Sequence, residues 1–309
     1  MRNISIIRLY AHKSVVTMEK LIEICGQKGY GNNKMKDFKV ALQLYSVRDK
    51  MEADMDKTLG EVKKAGYDYV EFAGYFDKTA EEVKALLDKH GLTCLSVHQK
   101  YEVFLEEPEA NVEYLKKIGA KYCAIPWMGK EKHKGNGQFE KTVEEISKVA
   151  KLLKENGIQM LYHNHDFEFE KYEGKFLNDW LLEAIPEIQP QVDTCWVHYA
   201  GYNPSEYIEK YSGRAEVIHL KDFVCKNLGG GPVYALIDES GKESKKQSKE
   251  ETGFEFRSLG TGIQDFNAIL ASAEKAGTEI VIVEQDSWNG EDSMDIAVRS
   301  RAYLKTLGL

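Results

Sequence analysis

Apolar and polar residues follow two alternating periods along the chain, one typical of buried strands and one of amphipathic helices. Short apolar runs such as Lys39–Tyr45 predict strands, and each is followed by a segment such as Met55–Ala65, in which apolar residues recur three or four positions apart. A glycine ends each of the first four such helical segments, at Gly66, Gly91, Gly119 and Gly157. This order predicts regular strand–helix units.

The pattern recurs eight times. The predicted strands are Lys39–Tyr45, Tyr67–Phe72, Leu92–Val97, Tyr122–Trp127, Gln159–Tyr162, Ile188–Asp193, Glu216–Leu220 and Glu279–Glu284. The helices between and after them are predicted at Met55–Ala65, from the cap Thr79 to Gly91, and at Glu107–Ile118, Phe139–Asn156, Leu177–Ala184, Pro204–Tyr211, Gln264–Ala276 and Ser293–Leu307. We therefore predict an α/β fold, a single-domain (β/α)8 TIM barrel. An open doubly wound sheet is the alternative, but no GxGxxG turn follows the first strand.

Two segments fall outside this pattern of strand–helix units. Residues 1–34 are interpreted as an N-terminal appendage, with disorder or an early start codon as open explanations, and residues 35–309 as the barrel. A charged loop insertion is predicted at about residues 226–256, around the mixed-sign run Glu239–Glu251. A loop at that place can also act as a lid over a barrel site.

Charge and cysteine content narrow the class of partner. A net charge of -8 and a pI of 5.6 argue against binding to nucleic acid phosphates. The five cysteines are widely spaced, which favours reduced thiols in the cytoplasm. No apolar run is long enough for a membrane span. We expect a small-molecule substrate and no membrane partner, and a homo-oligomer stays open.

The densest group of chemically active side chains follows the fifth predicted strand. The stretch Leu161–Glu170 contains two imidazoles and three carboxylates. Because side chains two apart on a strand point to the same side, His163 and His165 should share a face. Glu168 lies just beyond, where a loop can bring it back to the same space. We predict that the functional site is built around this stretch.

Other polar residues stand where predicted strands end, which is where barrel enzymes place their catalytic groups. Those on the first four strands are Gln43, Glu71, His98 and Trp127, and those on the last four are His163, His165, Glu168, Asp193, His219, Lys221 and Glu284. Strands five to eight thus include one set of three carboxylates and one imidazole, Glu168, Asp193, His219 and Glu284, in the order Glu, Asp, His, Glu. This set suits a divalent ion of the Mn, Mg or Co type better than a structural zinc.

Five sequence runs carry a resemblance to a known family. They are Leu42–Asp49, Tyr162–Phe169, Val192–Thr194, Ile218–Asp222 and Val283–Asp286. From about Met35 onwards they resemble the xylose isomerase-like TIM barrel superfamily, in particular its sugar phosphate isomerase/epimerase branch. The resemblance implies one divalent metal ion, held by Glu168, Asp193, His219 and Glu284. Manganese is the first choice, with Mg, Co or Zn as alternatives.

The resemblance implies a metal-dependent sugar isomerase or epimerase, which removes a proton next to a carbonyl and forms a metal-stabilised enediolate. His165 or His163 would be the base, His165 being preferred because it lies nearer the strand end, and Glu284 would serve the other face. Lys221 would hold a substrate oxygen. The pocket for the sugar or keto-sugar would be lined by Gln43, Glu71, His98, Trp127 and Lys221.

Three alternatives remain at this stage. The family's epimerases carry a glutamate within strand five, where this chain has histidines. A single histidine base also suits a lyase, of the inosose dehydratase or 3-keto-glycoside β-elimination type. A non-catalytic barrel subunit would keep the fold and lose ligands. A nuclease of the related DNA-repair branch would need a basic surface, which the acidic charge disfavours.

Overall fold

Eight parallel strands close into a barrel at the centre of the molecule. The computed structural model describes residues 37–229 and 252–309. We number the barrel strands β1 to β8 in chain order: Lys39–Gln43, Tyr69–Ala73, Thr93–His98, Tyr122–Ile125, Gln159–His163, Gln189–Asp193, Val217–Leu220 and Ile280–Val283. Each strand pairs with the next along the chain, and β8 pairs with β1. The predicted single-domain TIM barrel is confirmed.

Helices surround the barrel and connect its strands. The longer ones are Met55–Ala65, Ala80–His90, Pro108–Ile118, Phe139–Glu155, Leu177–Ala184, Pro204–Lys210, Phe266–Ala276 and Ser293–Thr306, close to their predicted bounds. Shorter helices that were not predicted are the α-helices Arg48–Ala53, Glu102–Glu106 and Thr194–Tyr199 and the 3₁₀ turns Leu44–Val47, Lys130–Lys132 and Phe167–Phe169. Within the two described ranges, no helix is both long and apolar enough to cross a membrane.

The local sequence signals at the helix ends act as expected. Thr79 and Glu82 form a reciprocal capping box at the start of Ala80–His90. Gly91 ends that helix with a φ of 63°, in the left-handed region that favours glycine. Such caps fix where a helix stops, and therefore where the next strand enters the barrel.

The barrel interior has an apolar layer beneath a polar one. The buried apolar layer consists of Ala41, Leu95, Ala124, Leu161, Val217, Ile280 and Ile282. Two residues beyond Leu161 and Val217, on the same faces of their strands, stand His163 and His219. Asp193 pairs in register with His219. Strand alternation therefore carries polar side chains into the interior near the carboxyl ends of the strands.

A short antiparallel hairpin holds the base of the predicted charged insertion. Asp222–Val224 pairs with Glu255–Arg257. Most of the insertion, including the run Glu239–Glu251, lies outside the described residues, as does the predicted appendage of residues 1–34. The domain bounds proposed from the sequence therefore stay predictions.

Asp222 organises the turn that follows this hairpin. Its two carboxylate oxygens accept hydrogen bonds from the backbone N–H groups of Phe223 (2.9 Å), Gly260 (3.0 Å), Gly262 (2.8 Å) and Gln264 (3.2 Å). A buried carboxylate needs such donors, and here three of the four come from the turn at residues 260–264. Asp222 is thus engaged in the loop and not in the group of side chains at the strand ends.

The first prediction concerns Gly262. A Cβ at this position would lie 2.2 Å from Asp222 Oδ1 and 2.4 Å from the Phe223 carbonyl oxygen, and the latter is backbone that cannot easily move. We expect Gly262→Ala to lower the free energy of unfolding by about 1–3 kcal/mol. Thermal unfolding beside Gly137→Ala, where nothing lies within 4 Å of the added Cβ, checks this. Equal melting temperatures of the two variants would contradict the proposed tight turn.

Candidate metal centre

The carboxyl ends of β5 to β8 bring together His163, Asp193, His219 and Glu284. Each offers one nitrogen or oxygen atom, and these four atoms lie within 4.8 Å of one another. All four side chains are buried. The structure thus groups three of the four residues that the sequence suggested as ligands. It adds His163, which the sequence suggested as a base.

Lys221 lies beside this four-residue cluster and faces three carboxylates. Its Nζ is 3.1 Å from Asp193 Oδ2, 2.9 Å from Glu284 Oε2 and 3.0 Å from Asp286 Oδ1. Burial alone would lower the pKa of Lys221, but the three carboxylates raise it well above its usual value. The side chain therefore stays an ammonium. Three carboxylates around one ammonium leave an excess of negative charge.

Asp193 shows how the fold directs one oxygen into the cluster. Its Oδ1 accepts hydrogen bonds from the backbone N–H groups of Cys195 (2.9 Å) and Trp196 (3.1 Å), at the start of the helix Thr194–Tyr199. Its Oδ2 is buried and makes no hydrogen bond with the described part of the chain, although the Lys221 ammonium is near. A divalent ion would be a suitable partner for that oxygen. Two carboxylates and two imidazoles also form a donor set that fits such an ion.

His219 lies between two carboxylates. Its Nδ1 is 2.8 Å from Glu284 Oε2, and its Nε2 is 2.8 Å from Glu71 Oε2. Burial lowers the pKa of His219, but Glu71 and Glu284 more than offset this and raise it to about 10. Burial likewise raises the pKa of Glu71, yet His98 and His219 hold it well below its usual range. Glu71 is therefore an anion in the barrel interior.

Two predicted sugar contacts, Gln43 and Glu71, are engaged elsewhere. Glu71 accepts hydrogen bonds from the amides of Gln43 and Gln191, both at 2.7 Å. The other amide atom of Gln43, its oxygen, accepts from the Tyr45 backbone N–H. Both side chains are fully buried, and Glu71 is on the side of His219 opposite Glu284. In the structure both side chains are engaged by other protein groups, and their contact with a sugar stays a prediction.

The other two predicted sugar contacts lie at different depths. The His98 ring stacks on His219, with centroids 5.3 Å apart, and its Nε2 is 2.8 Å from Gln191 Oε1. Trp127 follows the end of β4 and is partly exposed, with Lys100 Nζ 5.5 Å from the ring centroid. His98 thus belongs to the buried polar layer, whereas Trp127 keeps a face available at the carboxyl end of the barrel.

His165 follows the end of β5 and lies against the cluster. Its ring centroid is 5.1 Å from that of His163, and the ring stacks on Phe167 with the planes 5° apart. Burial, and next to it the positive charge of Lys221, lowers the pKa of His165 well below its usual value. The imidazole is therefore neutral near pH 7, the form that accepts a proton.

Glu168 is not part of the cluster, in contrast to the sequence-based expectation. The 3₁₀ turn Phe167–Phe169 directs its carboxylate towards the opposite face of β5, where Oε1 accepts from the Tyr162 hydroxyl at 2.6 Å. Oε2 accepts from the backbone N–H of His165 at 2.7 Å. Both oxygens are thus engaged by protein donors. Burial raises the pKa of Glu168 to about 8.

Gln191 is the main member of the polar layer that the sequence analysis missed. It bridges Glu71 and His98 from the middle of β6. The period of two would have found it, because Gln191 precedes Asp193 by two residues and so shares its face. Gln191 did not stand out in the sequence because its amide side chain carries no charge.

The second prediction follows from the burial of Glu168. A carboxyl whose pKa is raised on folding stabilises the fold below its unfolded pKa, and this contribution is lost as the pH rises through the folded value of about 8. Wild-type protein should therefore lose more unfolding free energy between about pH 5 and pH 9 than Glu168→Gln, which cannot ionise.

Denaturant unfolding at both pH values measures this difference. Glu170→Gln changes an exposed carboxyl two residues away and is the matched control, for which the pH dependence should match the wild type. If Glu168→Gln showed the wild-type pH dependence, Glu168 would not be a buried acid of raised pKa.

Comparisons with known proteins agree with this barrel. The family model described as xylose isomerase-like TIM barrel matches residues 59–307. The chain is 24% identical over 191 residues to an inosose dehydratase of Geobacillus kaustophilus, a match that spans 54% of this chain and 61% of that enzyme. It is 22% identical over 289 residues to an inosose dehydratase of Clostridium beijerinckii, covering 82% of this chain and 90% of that one.

Solved structures show the same fold at low identity. A sugar phosphate isomerase/epimerase from Parabacteroides distasonis superposes with a TM-score of 0.65 at 20% identity, covering 91% of this chain and 97% of that one. The IOLI protein, solved with a bound zinc atom, superposes with a TM-score of 0.60 at 15% identity and covers 87% of this chain and 98% of its own. On the span of the family match, this chain belongs to the xylose isomerase-like TIM barrel family.

Proposed function

We propose that this protein is a divalent-metal-dependent carbon–oxygen lyase that dehydrates a keto-sugar or keto-inositol. The observation that carries the proposal is the presence of the His163 imidazole in the cluster with Asp193, His219 and Glu284, on the strand where the family resemblance implied a carboxylate. The two curated relatives described above are inosose dehydratases, which supports the same reaction class.

His163, Asp193, His219 and Glu284 would hold the ion. Two imidazoles shift the preference away from Mg and towards Co or Zn, and Mn stays a candidate because the family resemblance implied it. A bound divalent ion would polarise a substrate carbonyl and stabilise the negative charge that develops on its oxygen. His163 would then act as a ligand and would not be free to act as a base.

His165 remains as the base beside the cluster. Its neutral imidazole would accept the proton from the carbon next to the carbonyl, and its lowered pKa would favour release of that proton to the leaving hydroxyl. The same proton, returned to the hydroxyl on the neighbouring carbon, would let that group leave as water. One acid–base residue on one face thus balances the whole dehydration. Lys221 would donate a hydrogen bond to a substrate oxygen, because its ammonium is charged and lies next to Glu284.

Epimerisation needs more from the site than dehydration does, and the structure supports it less well. It needs a second group that exchanges protons on the opposite face, for which the sequence suggested Glu284. Burial would raise the pKa of Glu284, but Lys221 and His219 lower it far below its usual value. A carboxylate held in this way is a good ligand and a poor proton donor. We therefore place the lyase ahead of the isomerase/epimerase.

The third prediction tests the ligand set by metal content. Ala substitution of His163, Asp193, His219 or Glu284 should remove most of the metal from protein expressed with Mn, because loss of one ligand in a four-ligand site weakens binding severely. Glu168→Gln is the control and should keep wild-type metal content. Elemental analysis of the purified proteins gives the answer.

Two outcomes would contradict this ligand set. Full metal occupancy in any of the four variants removes that residue from it, and loss of metal in Glu168→Gln restores the ligand suggested by the sequence. Wild-type protein without metal after metal-replete expression would favour a non-catalytic barrel.

The fourth prediction separates base from ligand. His165→Ala should retain its metal and lose about 10²–10⁴-fold in turnover of a keto-inositol, since general base catalysis contributes about that factor. Product analysis in deuterated water then identifies the reaction. An unsaturated product supports dehydration, whereas deuterium in an epimerised sugar supports the isomerase. Unchanged turnover in His165→Ala would exclude its role in either reaction.

A further inference from the structure

Glu71 is a buried carboxylate that the sequence suggested only as a sugar contact. It lies in the middle of β2 and is fully buried. Its two oxygens are held by the amides of Gln43 and Gln191, each 2.7 Å away. A carboxylate buried in this way is costly unless other groups compensate it, and hydrogen bonds on both oxygens fix its position as well.

The same carboxylate approaches one ring nitrogen of a proposed metal ligand. Glu71 Oε2 is 2.8 Å from Nε2 of His219, a close ion-pair contact without hydrogen-bond geometry, and 3.2 Å from Nε2 of His98. Nδ1, the other ring nitrogen of His219, faces Glu284 at 2.8 Å. Glu284 in turn contacts Lys221, which reaches Asp193. The ring of His219 therefore has Glu284 beside Nδ1 and Glu71 beside Nε2.

An imidazole that binds a metal through one nitrogen must carry its proton on the other. A carboxylate near that second nitrogen fixes the tautomer and the ring orientation and raises the basicity of the ligand. Glu71 is placed for this role, because it lies 2.8 Å from the ring nitrogen that points away from Glu284.

We propose that Glu71 is a positioning residue that holds His219 with its proton on Nε2 and so presents Nδ1 to the divalent ion. This inference rests on the ligand set of the proposed function and deepens it. Glu71 acts through His219 and touches neither ion nor substrate. The same proposal gives the buried Gln43 and Gln191 a role, because their amides hold the Glu71 carboxylate near the His219 ring.

The test begins with wild-type protein labelled with ¹⁵N at histidine and loaded with zinc. Nitrogen chemical shifts should show His219 with Nδ1 bound to metal and with a proton on Nε2. Zinc bound through Nε2, with the proton on Nδ1, would overturn the proposal even though the metal site exists. Absence of any bound zinc would instead refute the proposed function, so the two failures are distinguishable.

Substitution provides the second arm. Glu71→Gln should weaken zinc binding about 10–100-fold, measured by competition with a chelator. Ser96→Ala is the matched control, because Ser96 pairs with Glu71 in register, is buried, and has a hydroxyl without a hydrogen bond. Its zinc affinity should equal that of the wild type.

Thermal unfolding of the metal-free proteins separates positioning from simple stability. A lower melting temperature in Glu71→Gln with unchanged zinc affinity and unchanged His219 nitrogen shifts would mean that Glu71 is only structural, and would overturn the proposal. Weaker zinc binding together with altered His219 shifts would support it, whatever the change in stability.

Discussion

The structure depends on how buried charge is compensated at the carboxyl end of the barrel. Asp193, Glu284 and Asp286 surround a single ammonium, that of Lys221. Isolated ions are costly in a protein interior, and even paired ions need good geometry and further hydrogen bonds. With Glu71 counted, and with His219 a second cation because its pKa is raised to about 10, four carboxylates still outnumber two cationic side chains. A divalent cation would offset this excess. The proposed ligand set and the proposed reaction both depend on this balance of buried charges.

The barrel supplies this arrangement through strand alternation. Inward positions in register, such as Asp193 and His219, place an acid beside an imidazole without any special local sequence. The helix that starts at Thr194 then satisfies one oxygen of Asp193 and leaves the other directed at the cluster. Secondary structure thus determines which carboxylate oxygen of Asp193 remains available to bind a cation.

Much of this could be predicted from the sequence, because the signals were local. Hydrophobic period, glycine caps and polar residues at strand ends gave the eight strand–helix units and placed Asp193, His219, Lys221 and Glu284 at one end of the barrel. What failed depended on tertiary geometry. Glu168 was expected at the cluster, but a 3₁₀ turn after β5 directs it to Tyr162. The depth of Glu71 depends on the stagger of the strands, which no single-sequence pattern reveals.

The position of His163 links structure to reaction class. A glutamate on β5 would have offered both a ligand and a proton acceptor, whereas an imidazole bound to a metal is no longer a base. That leaves His165 as the neutral acceptor beside the cluster, and a single acceptor is enough for a one-sided loss of water. The proposed lyase rests on an imidazole at the place where the family resemblance implied a carboxylate.

The most direct test of the ligand assignment is a crystal structure of the manganese-loaded protein with an anomalous difference map recorded near the manganese edge. The account predicts one peak within coordinating distance of His163, Asp193, His219 and Glu284. A peak coordinated by Glu168, or one from which His163 is absent, would contradict it.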